Sequence, residues 1–243
     1  MKHVIKKQFV GTVGTTNLSD RESWLKKALE IIPKGKKILD AGAGELKYKK
    51  FCEHLDYVGQ DFAEYDGQGN NEGKQTSEWD NTKLDIISDI INIPVPEKSF
   101  DAIMCIEVFE HIQEPALAVK EFARIIKPNG VLIITAPFCS ITHFAPYYFA
   151  NGYSKYWYQK ILNDYGFEID ELVMNGNYFE YIAQEIRRLD SVEEEYGTTH
   201  IAKSFLGKVA KFMFLTILNS MSKNNKKSEE LLCYGIQIRA HKR

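Results

Sequence analysis

The chain has 243 residues, of which 44% are hydrophobic and 26% charged, enough for one α/β domain with additional elements. Its net charge of −2 disfavours a nucleic-acid binder that relies on a broad basic surface. Four scattered cysteines, an N-terminus without a secretory hydrophobic segment and no run of about 18 apolar residues predict a cytoplasmic protein without a membrane-spanning helix.

The first predicted elements are a helix from about Arg21 to Ile32 and a short buried strand that ends in an acid and two glycines. This strand and turn read Lys37-Ile38-Leu39-Asp40-Ala41-Gly42-Ala43-Gly44. Glycines at the carboxyl end of a parallel strand let the backbone turn sharply and approach a ligand. Lys47 stands where the dinucleotide fingerprint has its third glycine, which disfavours nicotinamide cofactors. A helix is expected next, over residues 45–54.

Three further strands are predicted over residues 55–61, 84–90 and 101–107, with a polar surface loop over 64–82. Asp61 ends the first of these strands, about 20 residues after the glycine turn. A carboxylate at that place can accept hydrogen bonds from both hydroxyls of a ribose. A helix N-cap is the alternative interpretation of Asp61.

Glu107, Glu110 and His111 follow the fourth strand at spacings of three and four residues, so on a helix they would share one face. Two carboxylates and an imidazole can bind a divalent ion. Lining of a substrate pocket and a purely structural role remain the alternatives for this group.

The remaining predicted elements are a helix over 115–126, a buried strand over 131–137, a helix over 154–164 and a strand over 167–173. Seven aromatic residues within 147–158 indicate an aromatic lid over a pocket or a secondary core. Helices are expected over 178–189 and 201–221, before a final strand over 233–240. The apolar side chains of 201–221 fit burial against the domain, a homodimer interface or a peripheral membrane contact.

Residues 36–173 resemble the class I S-adenosylmethionine-dependent methyltransferases, in particular small-molecule enzymes of the type 11 group and members from surface-polysaccharide pathways. The resemblance rests on Asp40-x-Gly42-x-Gly44, on Ser99-Phe100-Asp101-Ala102-Ile103 and on Lys127-Pro128-Asn129-Gly130 before a strand. Leu46 departs from the pattern, because many members have a glycine there. The resemblance implies a Rossmann-like, mostly parallel seven-stranded sheet with helices on both faces, an antiparallel last strand and a helical insertion before it. The resemblance also implies how the chain is organised. Residues 1–35 form an N-terminal segment and helix, 36–173 the methyltransferase core, 174–230 the helical insertion and 231–243 the final strand of the core.

The same resemblance implies S-adenosylmethionine as the cofactor. Asp61 is then expected at the ribose, and Asp89 with the backbone of Ile90 at the adenine. The residues expected to bind the cofactor are Asp40, Ala41, Gly42, Gly44, Asp61, Phe62, Asp89, Ile90 and Ile106.

The expected reaction is O-methylation of a small hydroxylated acceptor, such as a sugar or nucleotide-sugar in glycan biosynthesis. His143 is the expected general base, because a histidine near its ordinary pKa accepts a proton at neutral pH. His111 and Glu107 are expected as further catalytic pocket residues. Tyr147, Tyr148, Tyr153 and Trp157 are the expected substrate-binding residues.

Two other functions stay open at this point. Glu-x-x-Glu-His resembles the ubiquinone-pathway O-methyltransferases and the small-RNA 2′-O-methyltransferases that depend on a metal. In that case Glu107, Glu110, His111 and His143 would hold an ion and the acceptor would be an RNA 2′-hydroxyl. The other possibility is a non-catalytic cofactor-binding protein recruited to a membrane.

Overall fold

The structure, a computed structural model, describes residues 11–243, so the first ten residues of the predicted N-terminal segment lie outside the described residues. Its helices are α1 (Asn17–Glu30), α2 (Pro115–Ile125), α3 (Lys155–Asp164), α4 (Tyr178–Tyr196) and α5 (Phe205–Lys223). Its strands are β1 (Lys37–Ala41), β2 (Asp56–Asp61), β3 (Ile86–Ile87), β4 (Phe100–Ile106), β5 (Ile126–Pro137), β6 (Phe167–Asn175) and β7 (Gly235–Lys242). Short 3₁₀ turns occur at Lys49–Phe51, Phe109–His111 and Ser228–Glu230.

The seven strands form one sheet in the order β3-β2-β1-β4-β5-β7-β6. The pairs β1–β2, β1–β4, β2–β3 and β4–β5 are parallel, whereas β7 runs antiparallel to β5. The predicted fold class is therefore confirmed, including the helical insertion between β6 and β7. Because β1, β2 and β4 are parallel neighbours, their carboxyl ends meet at one edge of the sheet.

The core lies where β1 and β4 are covered on both faces. Leu39 of β1 and Ile103 of β4 are fully buried, as the near-continuous apolar runs of these strands predict. Leu25 and Leu29 of α1 pack into a cluster with Ile38 of β1. This packing fixes α1 beside the first strand of the sheet.

Two local predictions were wrong. Residues 45–54 form turns and one 3₁₀ turn, because Leu46 adopts a positive φ of 59° that a continuous helix does not permit. The third strand is reduced to Ile86–Ile87 at the edge of the sheet, and the flanking Asp85 carboxylate accepts a hydrogen bond from the Gly59 amide instead. Glu107 has a φ of 58°, so Glu107, Glu110 and His111 do not share the face of one continuous helix; only Phe109–His111 form a 3₁₀ turn.

The described residues divide into two compact units. One comprises residues 21–173 and 235–243, and the other comprises the described residues up to Asp20 together with residues 174–234. In the second unit, α4 and α5 pack through a small cluster of Val13, Ala183, Leu215 and Leu218. Helix α4 is seven residues longer than predicted, and α5 begins four residues later.

Much of α5 is not covered. Phe205 is 85% exposed, Leu206 72%, and Met213 and Phe214 58% each. The buried side chains Leu215 and Leu218 pack against α4 within the second unit, and the three alternatives for 201–221 stay predictions. Within residues 11–243, none of the helices has the length and apolar character to cross a membrane.

Candidate functional site

A cleft of about 780 Å³ opens at the carboxyl ends of β1, β2 and β4. It lies in the unit that contains the sheet, at the edge where open α/β sheets bind ligands. The residues of the predicted cofactor site that line it are Gly42, Gly44, Asp61, Phe62, Asp89, Ile90 and Ile106.

The glycine turn after β1 forms one wall of the cleft. Gly42 and Gly44 have φ values of 78° and 50°, which only glycine adopts without strain. A Cβ atom on Gly42 would lie 2.5 Å from a methyl carbon of Val108, and one on Gly44 would lie 2.6 Å from the Trp79 ring. The amides of Gly42 and Ala43 both donate to the carbonyl of Gln60 at 2.8 Å, which ties this turn to the end of β2.

Asp61 stands beside the turn at the end of β2. Its carboxylate accepts hydrogen bonds from the Gly44 and Ala63 amides, each at 3.0 Å. Each carboxylate oxygen has the capacity for a second hydrogen bond, so Asp61 can hold the turn and a ligand hydroxyl together. The exposed Asp89 also lines the cleft, and its carboxylate accepts a hydrogen bond from the Ile91 amide at 3.1 Å.

Asp40 and Ala41 are not brought to the cleft. Both are buried, and the Asp40 carboxyl accepts a hydrogen bond of 2.6 Å from the Tyr57 hydroxyl. Burial raises the pKa of Asp40 to about 7, although the Tyr57 hydrogen bond opposes that rise. Asp40 thus lies outside the cleft lining, where its side chain links β1, just before the turn, to Tyr57 of β2.

Glu107 faces the cleft from the end of β4 and forms an ion pair with Arg21 of α1. Its second oxygen accepts a hydrogen bond of 2.9 Å from the Thr135 hydroxyl. The Arg21 Nε is buried and has no hydrogen-bond partner. Sequence reasoning missed Arg21, because no local motif connects it to a carboxylate 86 residues away.

Glu110, His111 and His143 form a compact cluster, from which Glu107 is separate. The Nε2 atoms of the two histidines are 3.1 Å apart, and each is 3.7 Å from Oε1 of Glu110. Burial, reinforced by the Glu107 carboxylate, raises the pKa of Glu110 to about 8. Burial and the neighbouring His143 lower the pKa of His111 to about 4. His111 lines the cleft, whereas His143 does not.

Only one of the predicted substrate-binding aromatics, Tyr147, lines the cleft. Tyr148 donates its hydroxyl to the Ser140 carbonyl at 2.7 Å. Trp157 packs on Tyr153 and Phe109, with ring centroids 4.5 and 6.0 Å away. Tyr153 and Trp157 therefore belong to the secondary core that was the alternative interpretation of this segment.

The predicted surface loop over 64–82 supplies aromatic lining that sequence reasoning missed. Tyr65 and Trp79 lie 4.7 and 5.4 Å from the Phe144 ring, and all three rings line the cleft. Backbone hydrogen bonds from Lys74 to Thr142 and from Phe144 to Lys74 join the two loops. The two loops are far apart in the sequence, so their pairing could not be predicted. The presence of Tyr65 and Trp79 in an otherwise polar loop was the local signal that the loop contributes to a site.

The cleft is predominantly acidic. Six carboxyl side chains line it, against two cationic ones, Arg21 and Lys47. The carboxyl groups belong to Glu45, Asp61, Glu64, Asp89, Glu107 and Glu114. Such a cleft attracts cationic ligands and disfavours polyanionic ones.

These features fit S-adenosylmethionine. The backbone of the glycine turn lines the cleft, Asp61 retains acceptor capacity for ribose hydroxyls, and the acidic cleft complements a sulfonium cation.

Comparison with known proteins agrees with this fit. A family model described as a methyltransferase domain matches residues 19–172. The chain is 30% identical over 111 residues to tRNA (carboxymethyluridine(34)-5-O)-methyltransferase of Arabidopsis thaliana, a match that covers 44% of the chain and 25% of that relative. It is 46% identical over 39 residues to ubiquinone biosynthesis O-methyltransferase of Alkalilimnicola ehrlichii, with 16% of each protein covered. The matches thus span a quarter or less of these relatives.

Solved structures share the fold. A SAM-dependent methyltransferase from Archaeoglobus fulgidus superposes with a TM-score of 0.58 at 16% identity, covering 99% of both chains. Phosphoethanolamine N-methyltransferase 2 of Haemonchus contortus, solved with S-adenosyl-L-methionine, gives a TM-score of 0.52 at 16% identity, covering 92% of this chain and 52% of that one. The chain therefore belongs to the methyltransferase domain family, and S-adenosylmethionine is the cofactor of this domain.

Proposed function

We propose that this protein methylates an oxygen atom of a small hydroxylated acceptor, such as a sugar used in glycan biosynthesis. The observation that carries the proposal is the Glu110–His111–His143 cluster, of which His111 lines the cleft. A neutral amine needs no proton acceptor before methyl transfer, whereas a hydroxyl benefits from one. A built group of proton-accepting atoms beside the cofactor cleft therefore favours an oxygen acceptor.

The cofactor, when bound, supplies an electrophilic methyl group on a sulfonium. In the proposed arrangement the glycine turn lies along the cofactor, Asp61 accepts hydrogen bonds from its ribose hydroxyls, and Asp89 with Ile90 borders the adenine. The contribution of the chain is to hold the acceptor oxygen in line and to exclude water.

The acceptor is proposed to be neutral rather than a nucleotide-sugar. A diphosphate would meet six carboxyl groups and two cations in the cleft, which is unfavourable. The rings of Trp79, Phe144 and Tyr147 offer flat apolar surfaces for the carbon face of a sugar.

The cluster is proposed to activate the acceptor hydroxyl. His111, rather than the predicted base His143, has its side chain at the cleft wall. Its lowered pKa keeps the imidazole neutral at neutral pH, with Nδ1 at 2.5 Å from the Tyr147 carbonyl. His143 then acts behind it as a positioning residue, 3.1 Å away.

Metal-dependent 2′-O-methylation of RNA is the second candidate. Three potential ligand atoms of Glu110, His111 and His143 lie within 4.8 Å of one another, which favours this function. One relative is a tRNA methyltransferase by name. The acidic cleft opposes it, since RNA binding needs cationic contacts to phosphates.

A labelled-methyl assay tests the proposal. Purified protein and labelled S-adenosylmethionine are incubated with separate pools of neutral sugars, nucleotide-sugars, lipids, small metabolites and RNA, with and without a chelator. We expect label in neutral sugars, lost in His111→Ala and retained in the control His200→Gln, whose side chain is exposed. Label in RNA that vanishes with chelator would instead establish the second candidate.

Outside the cleft, we propose that α5 contacts an anionic membrane surface. The sequence from Lys203 to Lys227 contains six lysines and no acidic residue, and several of its large apolar side chains are exposed. Like charge along this segment disfavours pairing with a second copy of itself. Homodimerisation through α5 and the cytoplasmic location remain predictions from the sequence.

A further inference from the structure

The polar loop between β2 and β3, residues 64–82 and here called the strap, contacts the glycine turn of the cleft. Trp79 of the strap packs on that turn, since a Cβ atom on Gly44 would lie 2.6 Å from its ring. Next to it, the Asp80 amide donates to the Glu45 carboxylate at 3.2 Å. The carboxyl-terminal part of the strap is therefore fastened to the turn that follows β1.

The middle of the strap pairs with the loop that follows β5. Residues 138–154 connect β5 to α3 and are here called the β5–α3 loop. The Lys74 amide donates to the Thr142 carbonyl at 3.1 Å, and the Phe144 amide donates back to the Lys74 carbonyl at 2.9 Å. This is the hydrogen-bond pattern of a parallel bridge, so the strap and the β5–α3 loop are joined main chain to main chain.

A glycine permits this close pairing. Gly73 has a φ of 65°, and a Cβ atom there would lie 2.8 Å from the Thr142 carbonyl oxygen. The Asn70 amide adds a further backbone hydrogen bond, of 3.0 Å, to the Ala145 carbonyl. A side chain at position 73 would therefore push the strap and the β5–α3 loop apart.

Aromatic rings connect the strap to His111. The Phe144 ring lies 4.7 Å from Tyr65 and 5.4 Å from Trp79, both of which belong to the strap. The His111 imidazole stacks on the same Phe144 ring, with ring centroids 5.3 Å apart. Trp79 is half-buried and lines the cleft, so a ligand can reach its indole. The indole thus lies between the glycine turn and the rings around His111.

The strap has little core of its own. Within residues 64–82, only Tyr65 and Gly67 are buried. Segments that are held mainly by exposed backbone hydrogen bonds open locally at a low free-energy cost. A ligand that contacts such a segment only in its closed position shifts the equilibrium toward that position. The strap therefore offers a closed and an open state between which a ligand can select.

We propose that Trp79 is a further residue that contacts S-adenosylmethionine, and that the bound cofactor holds the strap closed on the β5–α3 loop. Gly44 of the glycine turn and Trp79 line the same cleft, so a cofactor along that turn meets the indole while the strap is closed. Because Phe144 packs between Trp79 and His111, cofactor binding also fixes the ring on which His111 stacks. This coupling needs the cofactor and no particular acceptor.

Hydrogen exchange at single amides tests the coupling without any acceptor. The full chain is compared by NMR with and without saturating S-adenosylmethionine. In wild type we expect the cofactor to slow exchange of the Lys74 and Phe144 amides, which donate between strap and loop, by about tenfold. In Trp79→Leu the cofactor should still slow exchange of the Gly44 amide but not of these two, whereas Trp79→Phe should recover part of the protection. The matched control is Tyr156→Leu, which removes an exposed aromatic ring of α3 and should behave like wild type.

Gly73→Val tests the other fastening of the strap. The added side chain should separate the strap from Thr142, so the Phe144 amide should lose protection even with cofactor bound. Cofactor affinity should fall about threefold, because coupling between two sites is reciprocal. Calorimetry measures the affinity, and far-UV circular dichroism verifies that the variant is folded.

Wild-type exchange rates decide the coupling even if a variant fails to fold. A change in tryptophan emission on cofactor binding, absent in Trp79→Phe, is the second readout of the contact. Slower exchange at Gly44 with unchanged rates at Lys74 and Phe144 in wild type would overturn the coupling, and so would full protection in folded Trp79→Leu. Protected amides without methyl transfer to any hydroxyl would contradict the proposed function and not the strap. Methyl transfer to a sugar with unprotected amides would do the reverse.

Discussion

The Asp61 carboxylate contacts the glycine turn and faces the proposed ribose position. Replacing Asp61 by alanine measures how much this one side chain contributes to cofactor binding. The change removes the acceptor for the Gly44 and Ala63 amides together with the ligand contact. We expect S-adenosylmethionine binding to weaken by about 1.5–3 kcal/mol, the usual contribution of a charged hydrogen bond. Calorimetric titration measures this change, with Glu64→Ala, which removes another carboxylate of the cleft lining, as the matched control. Wild-type affinity in Asp61→Ala would remove this residue from the cofactor site.

Asp40 makes stability depend on pH. Burial raises its pKa from 3.8 to about 7, with the Asp61 carboxylate adding to the rise and the Tyr57 hydroxyl opposing it. The folded state therefore holds a proton that the unfolded chain releases near pH 4, so the free energy of unfolding falls as pH rises from about 4 to about 7. The full difference corresponds to about 4 kcal/mol.

The variant Asp40→Asn cannot ionise, and its amide oxygen can still accept from the Tyr57 hydroxyl. We expect this variant to lose that part of the pH dependence and to gain stability relative to wild type above about pH 7. Urea denaturation of both proteins on either side of this range measures the difference. Parallel pH curves for the two proteins would show that Asp40 is not a buried titrating group.

At the scale of elements, the exposed face of α5 can be tested by mutation, and only the structure shows which residues lie on that face. Phe212 and Phe214 are both apolar in the sequence, yet Phe212 packs against the α4–α5 cluster while Phe214 is exposed. Replacing Phe205 and Phe214 by glutamate should abolish retention on anionic liposomes without loss of folding.

Leu231→Glu is the matched control for the liposome experiment, because Leu231 is 75% exposed but lies outside α5. Sedimentation with liposomes of anionic and neutral composition gives the readout. Wild type that stays in the supernatant with anionic liposomes would exclude the membrane contact. A mass shift in solution that the glutamate variant reverses would identify a homodimer instead.

For the molecule as a whole, the charge of the cleft predicts how ligand binding responds to salt. S-adenosylmethionine carries a sulfonium charge that S-adenosylhomocysteine lacks. Since six carboxyl groups line the cleft, raising the ionic strength should weaken binding of the charged cofactor about threefold. Binding of S-adenosylhomocysteine should change less, which titrations at low and high salt would show. Equal salt responses would mean that the carboxyl groups are screened from the sulfonium.

The elements with a strong local pattern were predictable. The apolar runs of β1, β4 and β5 indicated buried parallel strands, and the motif at Asp40–Gly44 indicated a turn at the carboxyl end of β1. Residues 45–54 were mispredicted as helix, because the positive φ of Leu46 cannot be read from local helix propensity.

The sequence by itself determined the fold, the family and the position of the cleft, because strand periodicity and glycine placement act over a few neighbouring residues. Only the tertiary structure decided which side chains meet there. It paired Arg21 with Glu107, brought Trp79 onto Gly44, placed Asp40 behind the turn and gathered Glu110, His111 and His143. These contacts join residues from distant parts of the chain, and distances of a few ångströms between such loops depend on how the whole sheet edge packs.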